Sequence, residues 1–162
     1  MFEIEIFKKK GFKNSHGEHV LSDIFELAIR DITKVEYSPL YFIDGDINLS
    51  EAKMIAVELL SDKITESCTV RRYSDLNSKT VNLHMLSASV IEVCYKKGVT
   101  DTVVESVMKA VKDLGIDKDI KVRAARKYYL YGTVSKTVLN IIATKLLANT
   151  LVQEYKINEK YN

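Results

Sequence analysis

The sequence is poor in the residues that usually announce a site. It has no tryptophan, one proline, six glycines, three histidines and two cysteines in 162 residues. Two cysteines, Cys68 and Cys94, make no disulfide framework, and their spacing fits no metal-ligand motif. Both fall at alternating positions of apolar runs, which predicts reduced thiols in the core. His16 and His19 sit three apart at the start of a helix pattern with no third ligand nearby, and His84 lies in a polar stretch, so no metal or other cofactor is expected. G-x-S-x-G, H-E-x-x-H, a phosphate-cradling glycine loop and a dinucleotide fingerprint are all absent, and no catalytic constellation declares itself. The acidic pair Asp44 and Asp46 flanks Gly45 and reads as a polar turn after a strand.

Net charge is equally uninformative: 24 Lys and Arg against 22 Asp and Glu leave +2, too little to argue for nucleic acid. No apolar run approaches the ~18 residues of a membrane span. Met1 leads directly into a strand pattern rather than a signal peptide. The expectation is a cytoplasmic protein without membrane or nucleic-acid partners.

What the sequence does have is an echo of itself. Sliding it by 87 positions aligns Ile4 to Val70 with Ile91 to Ile157 without a gap, and 17 of the 67 pairs are identical. They include Glu5/Glu92, Lys9/Lys96, Lys10/Lys97, Gly11/Gly98, Tyr41/Tyr128, Gly45/Gly132, Ile55/Ile142 and Leu60/Leu147. A duplication at a fixed period governs every other reading of the fold. The expected organisation is a first repeat over 1–70, a linker over 71–89, a second repeat over 90–158 and a polar tail over 159–162. A unit of this size buries only about 60% of its chain surface, so neither repeat is expected to be stable alone.

Within the first repeat, Glu3 to Lys9 alternates as a strand. Val20, Leu21, Ile24, Leu27 and Ala28 recur at helical spacing, predicting a helix from an Asn14 or Ser15 cap to about Arg30. Lys34 to Tyr37 and Leu40 to Asp44 read as two strands of a hairpin broken at Ser38-Pro39. A second helix follows from Asn48 or Ser50, with Ala52, Ile55, Ala56 and Leu59 as its buried stripe, and then a strand over Ile64 to Val70. The second repeat follows the same plan. It has a strand at Val90 to Tyr95, a helix from Thr102 stopped by Gly115, strands at Ile120 to Ala124 and Lys127 to Tyr131, a helix capped near Ser135, and a strand at Leu151 to Ile157. The polar linker leaves docking of the repeats unrestricted and holds one further short strand at Val81 to Met85.

The predicted class is α+β, two tandem β-α-β-β-α-β repeats with antiparallel sheets. Helices on one face of such a sheet leave the other bare, and a bare face in water should be polar. Here Phe7 and Cys94 alternate away from the helix-facing side, while Tyr41-Phe42 and Tyr128-Tyr129 are aromatic on both sides. The sheets are therefore expected to pack face to face, with Phe7, Cys94, Tyr41, Phe42, Tyr128 and Tyr129 at the interface between repeats. Covering about 400 Å² of apolar surface on each would contribute about 10 kcal/mol at ~25 cal/mol per Å². The same faces meeting between separate chains is the competing expectation.

One polar cluster stands out. Lys96 and Lys97 end the first strand of the second repeat, and Arg123, Arg126 and Lys127 surround its expected hairpin turn. A solvated rim is the plain reading; a partner-facing or phosphate-facing edge is the functional one.

The second repeat resembles a known family. Lys96-Lys97-Gly98-Val99-Thr100-Asp101 is similar to the Lys-x-Gly-Val-Leu-Asp start of PurS, the small subunit of phosphoribosylformylglycinamidine synthase. Val122-Arg123-Ala124-Ala125-Arg126 resembles its Val-Arg-x-Gly-Lys segment. Lys145 to Tyr155 resembles its Lys-Leu-Leu-Ala-Asn-Pro-Val-Ile-Glu-x-Tyr ending. The first repeat matches through the duplication at Gly17 and at Leu59 to Asp62. It lacks the Arg and Lys, with Glu36, Pro39 and Leu40 in those places.

The resemblance implies a ferredoxin-like, PurS-like fold and a non-catalytic subunit with no cofactor of its own. It would bridge a PurL-like synthetase and a PurQ-like glutaminase in glutamine-dependent, ATP-using purine biosynthesis, with self-association possible. It also implies that Lys96, Lys97, Gly98, Asp101, Arg123, Arg126 and Lys127 face a partner or a phosphate. The same plan would suit the N-terminal pair of a fused synthase. The competing readings are an ACT-type ligand sensor, which lacks its glycine-rich first loop here, and an RNA binder stacking bases on Tyr128, Tyr129 and Tyr131. An acylphosphatase-like enzyme is a third, and no arginine lies in the loops after the first strands.

Overall fold

The computed structural model of the chain describes residues 1–74 and 88–158. The strand expected at Val81 to Met85, His84 and the tail over 159–162 lie outside the described residues. In chain order the elements are β1 (Phe2–Lys8), α1 (Ser15–Glu26), β2 (Ile32–Gly45), α2 (Leu49–Ile55) running into a π-helical turn (Ala56–Leu60), and β3 (Glu66–Arg72). Then follow β4 (Ala88–Tyr95), α3 (Thr102–Asp113), β5 (Ile120–Gly132), α4 (Lys136–Ile142) with its π-helical turn (Ala143–Leu147), and β6 (Gln153–Asn158). All four helices and both π turns recur at the 87-residue offset.

Capping follows the sequence. The Asn14 side chain accepts from Gly17 N at 3.0 Å, and Asp101 from Val103 N at 2.9 Å. Asn48 and Glu51 exchange bonds of 3.0 and 2.9 Å as a capping box. Ser135 caps α4. α1 ends at Glu26 rather than about Arg30, because Ala28 is left-handed at φ 61, where the second repeat has Gly115 at φ 83. A left-handed residue just past a helix ends it in both copies. The last strands begin two residues later than expected, because Asp62 and Asn149 first hold tight turns.

The largest departure lies in the middle of each repeat. Neither expected hairpin forms: β2 and β5 are single strands of 14 and 13 residues. A two-residue hairpin turn of the favoured types needs positive φ. Proline is fixed at negative φ, and no residue from 36 to 40 or from 123 to 127 is left-handed. Ser38-Pro39 therefore passes straight through the strand. β1 pairs with β2 as far as Glu5 opposite Leu40, where the missing proline N–H would interrupt the ladder. There the buried Ser38 hydroxyl donates to the Ile6 carbonyl at 2.6 Å instead.

Contacts divide the chain into two compact units, and the cuts in β2 and β5 fall at the places where turns were expected, between Tyr37 and Ser38 and between Ala125 and Arg126. The first unit takes Met1–Phe12, Ser38 through β3, and Thr100–Ala125. Its strands run β3-β1-β2-β5, with β1 antiparallel to both neighbours. Its core joins Ile4, Ile6, Ile43, Ile55 and Ala56 from the first repeat to Val107, Val111, Ile116 and Ile120 from the second. The second unit takes Lys13–Tyr37, β4 through Val99, and Arg126 through β6. Its strands run β2-β5-β4-β6. Its core joins Val20, Ile24, Ile32 and Val35 to Ile91, Val93, Tyr128, Leu130, Leu139 and Ile142.

Each unit is thus a β-α-β-β-α-β assembly drawn from both repeats. The first reads β1, α3, β5, β2, α2, β3, and the second β4, α1, β2, β5, α4, β6. The α+β ferredoxin-like class stands. The expected face-to-face stacking of two sheets is corrected: within each unit the repeats meet strand against strand, because β2 and β5 are hydrogen-bonded neighbours.

Two outcomes follow from this exchange. Residues 88–162 expressed alone should give no folded monomer, and their folded signal in circular dichroism should vanish on dilution while that of the full chain does not. A folded, dilution-resistant monomer would contradict the exchange. Ser38→Ala should lower stability by about 1–3 kcal/mol by orphaning the buried Ile6 carbonyl, read as a lower denaturation midpoint with unchanged slope.

Candidate functional site

In both units the turn before the last strand is pinned in the same way. In the first, the Asp62 carboxylate accepts from Ile64 N at 2.9 Å and Thr65 N at 2.7 Å. Lys9 Nζ donates to the Lys63 carbonyl at 2.6 Å, and Ser61 Oγ donates to the Ala56 carbonyl of the π turn at 2.8 Å. The Thr65 backbone N–H, then its hydroxyl and the Ile64 N–H, hold the Asp62 carboxyl below the usual carboxylate range. In the second, Asn149 Oδ1 accepts from Leu151 N at 3.1 Å. Lys96 Nζ donates to the Thr150 carbonyl at 2.6 Å, and the Gln153 side chain accepts from Asn149 N at 2.9 Å. Lys9 and Lys96 are the same residue doing the same thing 87 positions apart.

This gives Lys96 a structural bond of its own. Lys97 beside it is exposed, and Gly98 turns the chain at φ 87. Asp101 caps α3 in the first unit, where Arg123 also lies, its guanidinium 4.4 Å from the centre of the Phe42 ring. Arg126 is half-buried and Lys127 buried, both in the second unit. Of the seven expected site residues, the structure therefore brings Lys96, Lys97, Gly98, Arg126 and Lys127 into one unit, and Asp101 and Arg123 into the other. Of the six expected interface residues, Tyr41 packs on the core of the first unit and Tyr128 sits within the core of the second. Phe42 and Tyr129 are buried, while Phe7 and Cys94 are half-buried. Cys68 and Cys94 are not joined in a disulfide.

Sequence reading missed two clusters. In the first unit Arg71 Nη2 lies 2.7 Å from Glu3 and 3.3 Å from Glu5. Glu5 is fully buried, tolerable only because it is paired. Its one trace in the sequence is the Glu5/Glu92 identity. In the second unit the His16 ring packs at a tilt against Tyr37, with centroids 4.2 Å apart, and its Nε2 lies 3.3 Å from the Tyr128 hydroxyl. Asn14 Nδ2 donates to the Tyr37 carbonyl at 2.8 Å, tying the entry of α1 to β2. His16, Tyr37 and Tyr128 are far apart in sequence, and no local pattern joins them. Burial, then the charges of Arg126 and His19, hold the imidazole below the ordinary histidine range, while burial pushes the Tyr128 hydroxyl up. Among the described residues no three His, Cys, Asp or Glu side chains converge as a metal site, and no helix is long and apolar enough to cross a membrane.

The geometry defines an α+β chain of two ferredoxin-like units built from a duplicated sequence, with its polar contacts spent on holding turns and strands. Residues 88–160 match the family model PurS, phosphoribosylformylglycinamidine (FGAM) synthase. The second repeat is PurS-like from β4 through β6, and the first repeats its plan. The match covers 73 of the 162 residues, within 88–160. No curated protein matches the chain.

A lowered His16 pKa means that the unfolded chain takes up the proton first on acidification, so its contribution is present above the ordinary histidine range and lost as pH falls through it. Between about pH 7 and about pH 5, the melting temperature of wild type should therefore fall more steeply than that of His16→Gln. Parallel profiles would assign His16 no such role.

Proposed function

We propose that this chain is a non-catalytic scaffold of the FGAM synthase complex, acting in the cytoplasm, that seats a PurL-like synthetase and a PurQ-like glutaminase. The observation that supports it most is the family match over 88–160, together with a first repeat that reproduces the matched elements helix for helix. In this reading the tandem chain supplies by covalent linkage two PurS-like copies, each completing the other's sheet. Linking makes the second association intramolecular, at an effective concentration of about millimolar for a short tether. Lys96, Lys97, Arg126 and Lys127 of the second unit and, separately, Arg123 of the first are the groups proposed to meet an acidic or phosphate-bearing surface. The synthetase and glutaminase would carry the ammonia and phosphate chemistry.

Reconstitution tests the reading. Glutamine-dependent turnover by the synthetase and glutaminase of the same source should rise when the chain is added, with the three proteins co-sedimenting. Equal assembly and turnover without it would defeat the scaffold role.

A further inference from the structure

Among the large apolar side chains exposed on the described residues, Ile64 and Leu151 stand out, 75% and 84% exposed. They are one repeat length apart, each at the tip of a pinned turn. A single exposed aliphatic is ordinary on a protein surface and needs no explanation. Three observations set these two apart. Each tip is held by a side-chain acceptor at its own N–H and by a lysine on the carbonyl just before it. The lysine is the same in both copies, while the turn around it has changed: Ser61 to Ala148, Asp62 to Asn149, Lys63 to Thr150 and Thr65 to Val152. With the lysine and the side-chain acceptor, the tip keeps its chemistry, a branched aliphatic in water, on a backbone held by those bonds. Such preorganisation favours binding, because little freedom remains to be lost.

We infer that the two turns are docking knobs, each seating Ile64 or Leu151 in an aliphatic-lined socket on a protein subunit of the FGAM synthase complex. This rests on the scaffold reading above and adds the surface that makes the contact. The PurS match spans the whole second turn, which places that tip in the segment tied to the complex. A lipid surface fits less well. Tips that enter membranes rely on basic residues facing anionic headgroups, whereas here Lys8 is paired with Glu66, Lys63 with Glu58, and Lys9 with the Lys63 carbonyl. A convex knob of one side chain calls for a concave partner, the arrangement in which one buried side chain carries much of an interface.

The test is a titration of the full chain against the purified synthetase and glutaminase pair by calorimetry. It compares wild type with Ile64→Ser, Leu151→Ser, the double variant, and Val103→Ser as an exposed apolar control on α3 whose counterpart in the first repeat is His16. Each tip variant should weaken binding about tenfold and the double about a hundredfold, with melting temperatures unchanged and the control at wild-type affinity. Lys9→Met should weaken binding with Ile64 intact. Wild-type affinity in the double variant would overturn the knobs and leave the scaffold standing. No binding by wild type would overturn both. Partition of wild type, but not of the double variant, onto phosphatidylglycerol and phosphatidylcholine vesicles would assign the tips to lipid and overturn the inference. So would loss of self-association in the variants with binding to the pair retained.

Discussion

Everything in this structure depends on two strands that do not turn back. β2 and β5 each run unbroken through the place where a hairpin would close a self-contained repeat, so the helix and half-strand of one repeat complete the other. The Ser38 hydroxyl keeps the ladder closed where proline would interrupt it. The far ends of the same strands explain one of the identities, Gly45/Gly132. Gly45, at φ 126, lies so close to the Asp119 carbonyl that a Cβ would collide with it, and Gly132, at φ 144, stands in the same relation to Asp31. Each glycine marks where the end of one long strand passes the start of the other. Elsewhere the positive-φ glycines Gly11, Gly98 and Gly115 meet no such obstacle, and at the last position the first repeat manages with Ala28.

The duplication, the helices, their caps and the core stripes were legible in sequence, because amphipathic spacing and N-cap chemistry are local. The exchange was not. Ser38-Pro39 does disrupt a ladder, as its composition indicates, but it lacks the left-handed residue a tight reversal requires. The signal was present in what the turn did not contain. Within the candidate site, the Lys9/Lys96 identity was visible but read as surface charge, since its acceptor lies 54 residues away. The packing of His16 against Tyr37 and the burial of Glu5 under Arg71 depend on strand neighbours that no window of sequence contains.

Several polar side chains outside the cores serve the protein's own architecture. Asp62, Asn149, Lys9 and Lys96 fix turns, Asn14 and Asp101 fix helix starts, and Arg71 pairs with two carboxylates. Duplication within one chain makes the association of the two repeats a property of a single fold, and the repeats differ where Glu36, Pro39 and Leu40 stand opposite Arg123, Arg126 and Lys127.

The exchange of segments is tested most directly by nuclear Overhauser contacts between methyl groups. The structure requires Val20 and Ile24 of α1 to lie near Ala143 and Leu147 of the other repeat's π turn, and Val107 and Val111 of α3 near Ala56 and Leu60. Cross-peaks in that crossed pattern are predicted. Cross-peaks pairing α1 with Ala56 and Leu60, and α3 with Ala143 and Leu147, would show two closed repeats and contradict the account.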